Sequence, residues 1–171
     1  MKVFIIAAQT KDGFIAKDDS QNSMDWTSGA DKQFFIKKTK EAGVVVMGRK
    51  TFETIGKPLS ERRNIILSRN KELNLGYEKE KVEITNERPK ELLDRLKLEG
   101  VSQVAILGGS SIYTTFLEEG LVDKAYITVE PVEFGEGIKL FGNSDVEKKM
   151  NLLSTIELGQ GALLLEYEIN N

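Results

Sequence analysis

Four short apolar runs limit the folds open to this chain more than any other feature: Val3–Ala8, Val44–Met47, the stretch Asn64–Ser68 centred on Ile65, Ile66 and Leu67, and Val104–Leu107. Each is apolar at consecutive positions rather than alternating ones, so as a strand it needs cover on both faces. Helical patterns separate them and can supply that cover. Ser28-Gly29-Ala30-Asp31 resembles a capping box, and the spacing predicts a helix from there to a C-cap at Gly43, with Phe34, Phe35 and Ala42 as buried contacts. Asn86–Leu98 reads as an amphipathic helix with Pro89 in its first turn, Leu92, Leu93 and Leu96 on one side, and Gly100 at its end. A third follows Gly108-Gly109, with Ile112, Tyr113, Phe116 and Leu117 on one face.

Beyond Gly120 the pattern changes to strands, over Val122–Val132, Asn151–Leu158 and Ala162–Ile169, the last two joined as a hairpin across Gly159-Gln160-Gly161. The expected fold is therefore α/β: a three-layer sandwich with a central, mostly parallel mixed sheet, helices on both faces and a C-terminal antiparallel hairpin. At 171 residues it is expected to be one domain, residues 1–171. Asn70–Lys81 reads as a solvated loop, and Ser144–Asn151 as a connection to the hairpin.

The chain has no cysteine and no histidine. That removes disulfides, thiol nucleophiles, Cys-ligated zinc or iron–sulfur clusters, and every mechanism with a histidine base. Ionisable chemistry is left to Asp, Glu, Lys, Arg and Tyr, and no metal site is expected. The net charge of −3 argues against nucleic acid or an anionic membrane as partner. The Val3–Ala8 run is too short for a secretory signal and nothing approaches a membrane span, so a cytoplasmic location is expected. With no sustained apolar surface stripe in view, a monomer is expected.

The dinucleotide fingerprint GxGxxG is absent. The phosphate loop GxxxxGK[ST] fails at Gly56-Lys57, with Thr51 at the first glycine position and Pro58 at the last. Two other turns carry the interest. Val44–Met47 runs through Gly48 into Arg49-Lys50-Thr51, a strand–glycine–helix junction whose amides and helix dipole favour a phosphate, with two cations beside it. Leu107-Gly108-Gly109-Ser110-Ser111 repeats the arrangement, with paired glycines that let backbone approach a ligand. Spacing alone does not separate either from an ordinary βα turn, but two of them at the C-terminal ends of central strands mark where open α/β sheets bind ligands. Asp31, in a predicted first helical turn beside Phe34 and Phe35 and after Trp26, reads either as a dipole-favoured helix-start acid or as a carboxylate gripping an amidine-like N–C–NH₂ edge.

From Val3 to about Phe141 these features resemble the dihydrofolate reductase family. The most specific block is Met47-Gly48-Arg49-Lys50-Thr51-Phe52-Glu53-Thr54-Ile55-Gly56-Lys57-Pro58-Leu59-Ser60-Glu61-Arg62-Arg63-Asn64-Ile65-Ile66-Leu67-Ser68-Arg69, similar to the family pattern MGRxTxxSIGxPLxxRxNIxLS. Trp26, Asp31 and Phe35 match W-x4-D-x3-F; the Gly108-Gly109 turn with Tyr113, and Tyr126-Ile127-Thr128, match two further blocks in order.

The resemblance implies catalytic roles for Asp31 and Trp26, with Asp31 holding the pterin 2-amino group and N3 and Thr128 sharing that network. It implies a substrate cleft lined by Ile6, Ala7, Phe35, Ile55, Leu59 and Leu107, and a pairing of Arg62 with the glutamate α-carboxylate of the folate. NADPH is the implied cofactor. Its phosphates would lie against Gly48, Arg49, Lys50 and Thr51, its adenosine along Leu67, Ser68 and Arg69, and its pyrophosphate against Gly109, Ser110, Ser111 and Ile112, with Ala8, Ile15, Gly108 and Tyr113 completing the site. Arg49, Lys50 and Arg69 would supply charge for the 2′-phosphate. The family also implies a cis Gly108–Gly109 peptide and a mobile lid over Lys11–Asp25. The implied reaction is reduction of dihydrofolate to tetrahydrofolate, by hydride transfer to pterin C6 with protonation of N5. Ala16, Gly29 and Lys32 depart from common family residues. Asp12-Gly13-Phe14-Ile15-Ala16 and Gly135–Phe141 also resemble the related pyrimidine reductases of riboflavin synthesis, which share fold and NADPH but act on a ribosylated pyrimidine phosphate. A catalytically silent nucleotide-binding module of the same fold is the third reading; Asp31 argues against it.

Overall fold

The computed structural model describes residues 1–70, 75–78 and 81–170. In chain order its elements are β1 (Lys2–Thr10), β2 (Phe14–Ala16), α1 (Gly29–Ala42), β3 (Val44–Gly48), α2 (Arg49–Ile55), β4 (Arg63–Leu67), β5 (Val82–Thr85), α3 (Pro89–Leu98), β6 (Gln103–Ile106), α4 (Ser110–Glu118), β7 (Lys124–Glu130), β8 (Ile138–Lys139), β9 (Met150–Gly159) and β10 (Ala162–Ile169). Single 3₁₀ turns occupy Ser23–Asp25 and Val146–Lys149.

The main sheet has eight strands in the order β5-β4-β3-β6-β1-β7-β10-β9. From β5 to β7 every neighbouring pair is parallel; β10 then runs antiparallel to β7, and β9 to β10. The apolar runs divide between the two faces as strand geometry requires. Val3, Ile5, Val44, Val46, Ile65, Val104 and Ile106 meet Leu92, Leu93 and Leu96 of α3 and Tyr113, Phe116 and Leu117 of α4. Phe4, Ile6, Val45, Met47, Ile66, Ala105 and Leu107 face Ala42 of α1 and Phe52 of α2. This is the three-layer α/β sandwich with mixed sheet and terminal hairpin that the runs implied.

Local signals act as their chemistry predicts. The Ser28 hydroxyl accepts from the Asp31 amide at 3.1 Å to cap α1, and Gly43 closes it in the left-handed region. α3 begins at Pro89 rather than Asn86, with Arg88 as its N-cap. Phe34 and Phe35 are half-buried rather than buried: Phe34 packs toward Tyr126, its ring centroid 5.8 Å away, and Phe35 faces a cleft. β7 is shorter than the predicted Val122–Val132, and β9 starts one residue earlier and ends one later than predicted.

Three strands went unread in the sequence. β5 has four residues and closes one edge of the main sheet, and β2 pairs with β8 in a separate two-stranded sheet. The latter explains Gly137: a Cβ there would lie 2.3 Å from the Ala16 carbonyl oxygen. Residues 71–74 and 79–80 of the expected 70–81 loop lie outside the described residues. Within it, Tyr77 is attached to α2: its ring meets Phe52 edge-on at 5.6 Å and its hydroxyl donates to the Gly56 carbonyl at 2.8 Å. Val146, in the expected connection before the hairpin, is buried in the core.

The expectation of no apolar surface stripe fails at β9, which exposes Leu152, Leu153 and Ile156. No helix among the described residues is long and apolar enough to cross a membrane.

Candidate active site

The chain order reverses around β1: β3, β4 and β5 build outward on one side, β6 returns to fill the gap, and β7 continues on the other side. At such a switch point the loops diverge and leave a crevice beyond the strand ends. A cleft of about 1170 Å³ opens there, reached by Ile6, Ala7 and Ala8 of β1, Gly48 after β3, Leu67 after β4 and Leu107 after β6.

At one end lies Asp31, 8% exposed, on the first turn of α1. Ile6, Ala7, Phe35, Ile55, Leu59 and Leu107 line the same cleft and make this end largely apolar. Burial pushes the Asp31 carboxyl above the ordinary 3.8; the Thr128 and Thr27 hydroxyls oppose the rise, and the negative charge of Glu130 adds to it. Thr128 is itself buried on β7, in register with Ala8.

At the other end the two glycine turns lie side by side, the Gly48 amide donating to the Gly108 carbonyl at 2.7 Å. The Gly108–Gly109 peptide is cis. A Cβ at Gly108 would run into the Tyr113 ring at 2.7 Å, and one at Gly48 would press on Ile112 at 3.2 Å. The Tyr113 hydroxyl is fixed in turn, donating to the Ile6 carbonyl at 2.9 Å across the core. Around these turns Arg49, Lys50, Thr51, Ser68, Arg69, Gly109, Ser110, Ser111 and Ile112 border the cleft, with Ile15 from β2. α4 begins here without a side-chain cap. Hydroxyls, cations and uncapped helix amides around a side-chain-free turn suit the phosphates of a dinucleotide.

Four expected site residues lie outside the cleft lining: Trp26, Arg62, Gly108 and Thr128. Trp26 stacks edge-on against Phe134 at 5.1 Å, and its indole Nε1 is buried with no hydrogen-bond partner among the described residues. Arg62 is held against α1, donating to the Thr39 hydroxyl at 2.7 Å and to the Ser60 carbonyl at 2.8 Å.

The structure also brings in residues that the sequence reading passed over. Glu130 is 2% exposed and accepts from both the amide and the hydroxyl of Ser28 at 2.8 Å, so it clamps the residue that caps the Asp31 helix. Its place on β7, next but one to Thr128, was the available signal. The expected lid, Lys11–Asp25, contributes Asp18, Asp19, Gln21, Asn22, Ser23 and Met24 to the cleft wall. Asp19 pairs with Lys50, and the Asn22 side-chain amide donates to the Thr54 carbonyl at 3.1 Å, so the segment is fastened to α2.

Such a cleft on an α/β sandwich, with an acid at one end and a phosphate-type cradle at the other, defines a class of small-molecule-binding enzymes. Within that class the chain belongs to the dihydrofolate reductase family, whose model matches residues 2–148. The dihydrofolate reductase of Staphylococcus haemolyticus is 34% identical over 142 residues, 82% of this chain and 76% of its own length. The solved dihydrofolate reductase of Enterococcus faecalis, complexed with NADP(H) and RAB-propyl, superposes with a TM-score of 0.76 at 25% identity, covering 99% of this chain and 97% of that one. A pyrimidine reductase-like protein from Corynebacterium diphtheriae shares the fold, with a TM-score of 0.80 at 17% identity over 98% of this chain and 91% of its own.

Proposed function

We propose that the protein is an NADPH-dependent dihydrofolate reductase that converts 7,8-dihydrofolate to 5,6,7,8-tetrahydrofolate. One observation carries the reading: a buried carboxylate, Asp31, at the apolar end of a cleft whose other end is built for phosphates. Bound in the cradle, NADPH supplies the hydride that reaches pterin C6. Asp31 holds the 2-amino group and N3 of the pterin by two hydrogen bonds, which fixes the ring face that Ile6, Ala7 and Phe35 enclose. Those apolar walls offer no acid near N5, so the proton arrives from water. Arg49, Lys50 and Arg69 favour a cofactor with a 2′-phosphate, and Arg62 takes the glutamate α-carboxylate.

Titrating the protein with dihydrofolate and with a 2,4-diaminopyrimidine antifolate, read by the fluorescence of its single tryptophan, tests the substrate end. Both ligands are expected to bind, and Asp31→Asn to weaken both while sparing NADPH. Binding that is indifferent to Asp31 contradicts the assignment.

The second reading, an NADPH-dependent pyrimidine reductase of riboflavin synthesis, is favoured by β8 and the Gly135–Phe141 segment around it, which brings Ile138 and Phe141 to the cleft. A ribosylated pyrimidine phosphate bound in place of dihydrofolate would favour it.

A further inference from the structure

Two carboxylates among the described residues are buried, Asp31 and Glu130. The proposed reaction uses the first alone. Glu130 ends β7 and stands opposite Thr10 of β1, whose hydroxyl is committed elsewhere: it donates to Asp12 and accepts from the Phe14 amide. Among the described residues no lysine or arginine pairs with Glu130; one of its oxygens accepts from both the amide and the hydroxyl of Ser28 at 2.8 Å. A buried carboxylate without a cation is costly to keep. Setting it near a second buried acid costs more, since each negative charge opposes the other.

We propose that Glu130 is a positioning residue for the reaction: it acts on the substrate through Ser28 and Asp31, fixing where the Asp31 carboxylate stands and the field it stands in. The proposal rests on Asp31 being the substrate acid. A serine hydroxyl has one proton. Glu130 takes it, so the Ser28 oxygen is left to accept, and it does so from the Asp31 amide at 3.1 Å. Donation to a carboxylate also makes that oxygen a better acceptor. The chain Glu130–Ser28–Asp31 thus pins the first turn of α1, from which the Asp31 side chain reaches the cleft. The field follows from what surrounds the carboxyl. Glu130 faces it from β7, Lys32 from its own helix, and Tyr113 from α4, with a phenol pushed well up by burial. β1 and α2 bring Ile6, Ala7 and Ile55 to this end of the cleft. Glu130 is the neighbour that adds negative charge, and it makes Asp31 hold a proton more readily.

Glu130→Gln and Glu130→Ala separate the two effects. Glutamine can still accept from Ser28 but carries no charge; alanine does neither. Two measurements need no substrate. The carboxyl carbon-13 resonance of Asp31, assigned by its loss in Asp31→Asn, should titrate at lower pH in both variants than in wild type. Hydrogen exchange at the Asp31 amide should quicken by about 10-fold in Glu130→Ala, the worth of one hydrogen bond, and return toward the wild-type rate in Glu130→Gln. In turnover, Glu130→Ala should lower kcat/KM for dihydrofolate by about 10-fold or more while the KM for NADPH holds, and Glu130→Gln should recover most of that loss. An Asp31 titration that neither variant moves, an Asp31 amide indifferent to Glu130→Ala, or a loss shared equally by substrate and cofactor each overturns the proposal. If Glu130→Ala does not fold, Glu130→Gln decides alone, through the Asp31 titration. Failure of the dihydrofolate reading looks different: wild type itself does not oxidise NADPH with dihydrofolate, while the Asp31 titration still moves with Glu130.

Discussion

Replacing Asp31 by asparagine should make the protein more stable and less active at the same time. The side chain is 8% exposed, and its carboxyl is held above the ordinary 3.8 by burial, with the Glu130 charge adding to the rise and Lys32 the weakest of the opposing influences. A carboxylate whose pKa is raised by folding binds more protons in the native state than in the unfolded one. Stability therefore falls as pH rises from 3.8 toward the folded-state pKa, and the full cost persists above it. A tenfold weakening of the Asp31 acid on folding corresponds to about 1.4 kcal/mol at neutral pH. For a chain of this length each such tenfold step is about 3–5 °C in Tm. Asparagine has nearly the same shape and no charge, so Asp31→Asn should melt higher than wild type at pH 7. The gap should close as pH is lowered through the native pKa and vanish below 3.8. Turnover should drop by about 10²–10⁴-fold, the range for loss of a positioned ionisable group. Differential scanning calorimetry from acid to neutral pH, beside steady-state kinetics, reads both. A variant that melts lower than wild type at pH 7, with an unchanged pH slope, would refute the electrostatic reasoning.

Three other substitutions probe separate parts of the site. Arg62→Leu should weaken folate binding by about 10–100-fold, the worth of a charged hydrogen-bonded pair, and leave NADPH affinity nearly unchanged; calorimetric titration of each ligand separates the two, and equal losses would count against the assignment. Arg69→Gln should cut the preference for NADPH over NADH, seen as a fall in the ratio of their kcat/KM values. Gly137→Ala places a Cβ 2.3 Å from the Ala16 carbonyl and should cost about 2 kcal/mol or more, as a backbone shift separates β2 from β8. Thermal melting would show it, and an unchanged Tm would mean that the small sheet adjusts freely.

The central layer was legible because its strands are buried on both faces. Consecutive apolar residues at Val3–Ala8, Val44–Met47, Ile65–Leu67 and Val104–Leu107 have no other compact arrangement once helices lie between them. The capping serine at Ser28 and the closing Gly43 were legible because each satisfies a specific backbone demand. β2, β5 and β8 were not, since two to four residues are too few to establish a period. Glu130 escaped for another reason: a glutamate is ordinarily a surface residue, and only the fold shows Ser28 arriving from a distant segment to bond it. The free edge at β9 was hidden because its leucines and isoleucine look like core material until the order of the strands is known. Within the site, residue types and turns could be read along the chain, but their meeting in one cleft depends on the return of β6 between β3 and β1.

The central claim is tested most directly by following NADPH absorbance in the presence of purified protein, with dihydrofolate and with the ribosylated pyrimidine phosphate of riboflavin synthesis in parallel. Dihydrofolate reduction predicts cofactor oxidation with dihydrofolate alone, stopped by a 2,4-diaminopyrimidine antifolate and slowed by about 100-fold or more in Asp31→Asn. Oxidation driven by the pyrimidine instead, or none with either substrate while NADPH still binds, would contradict it.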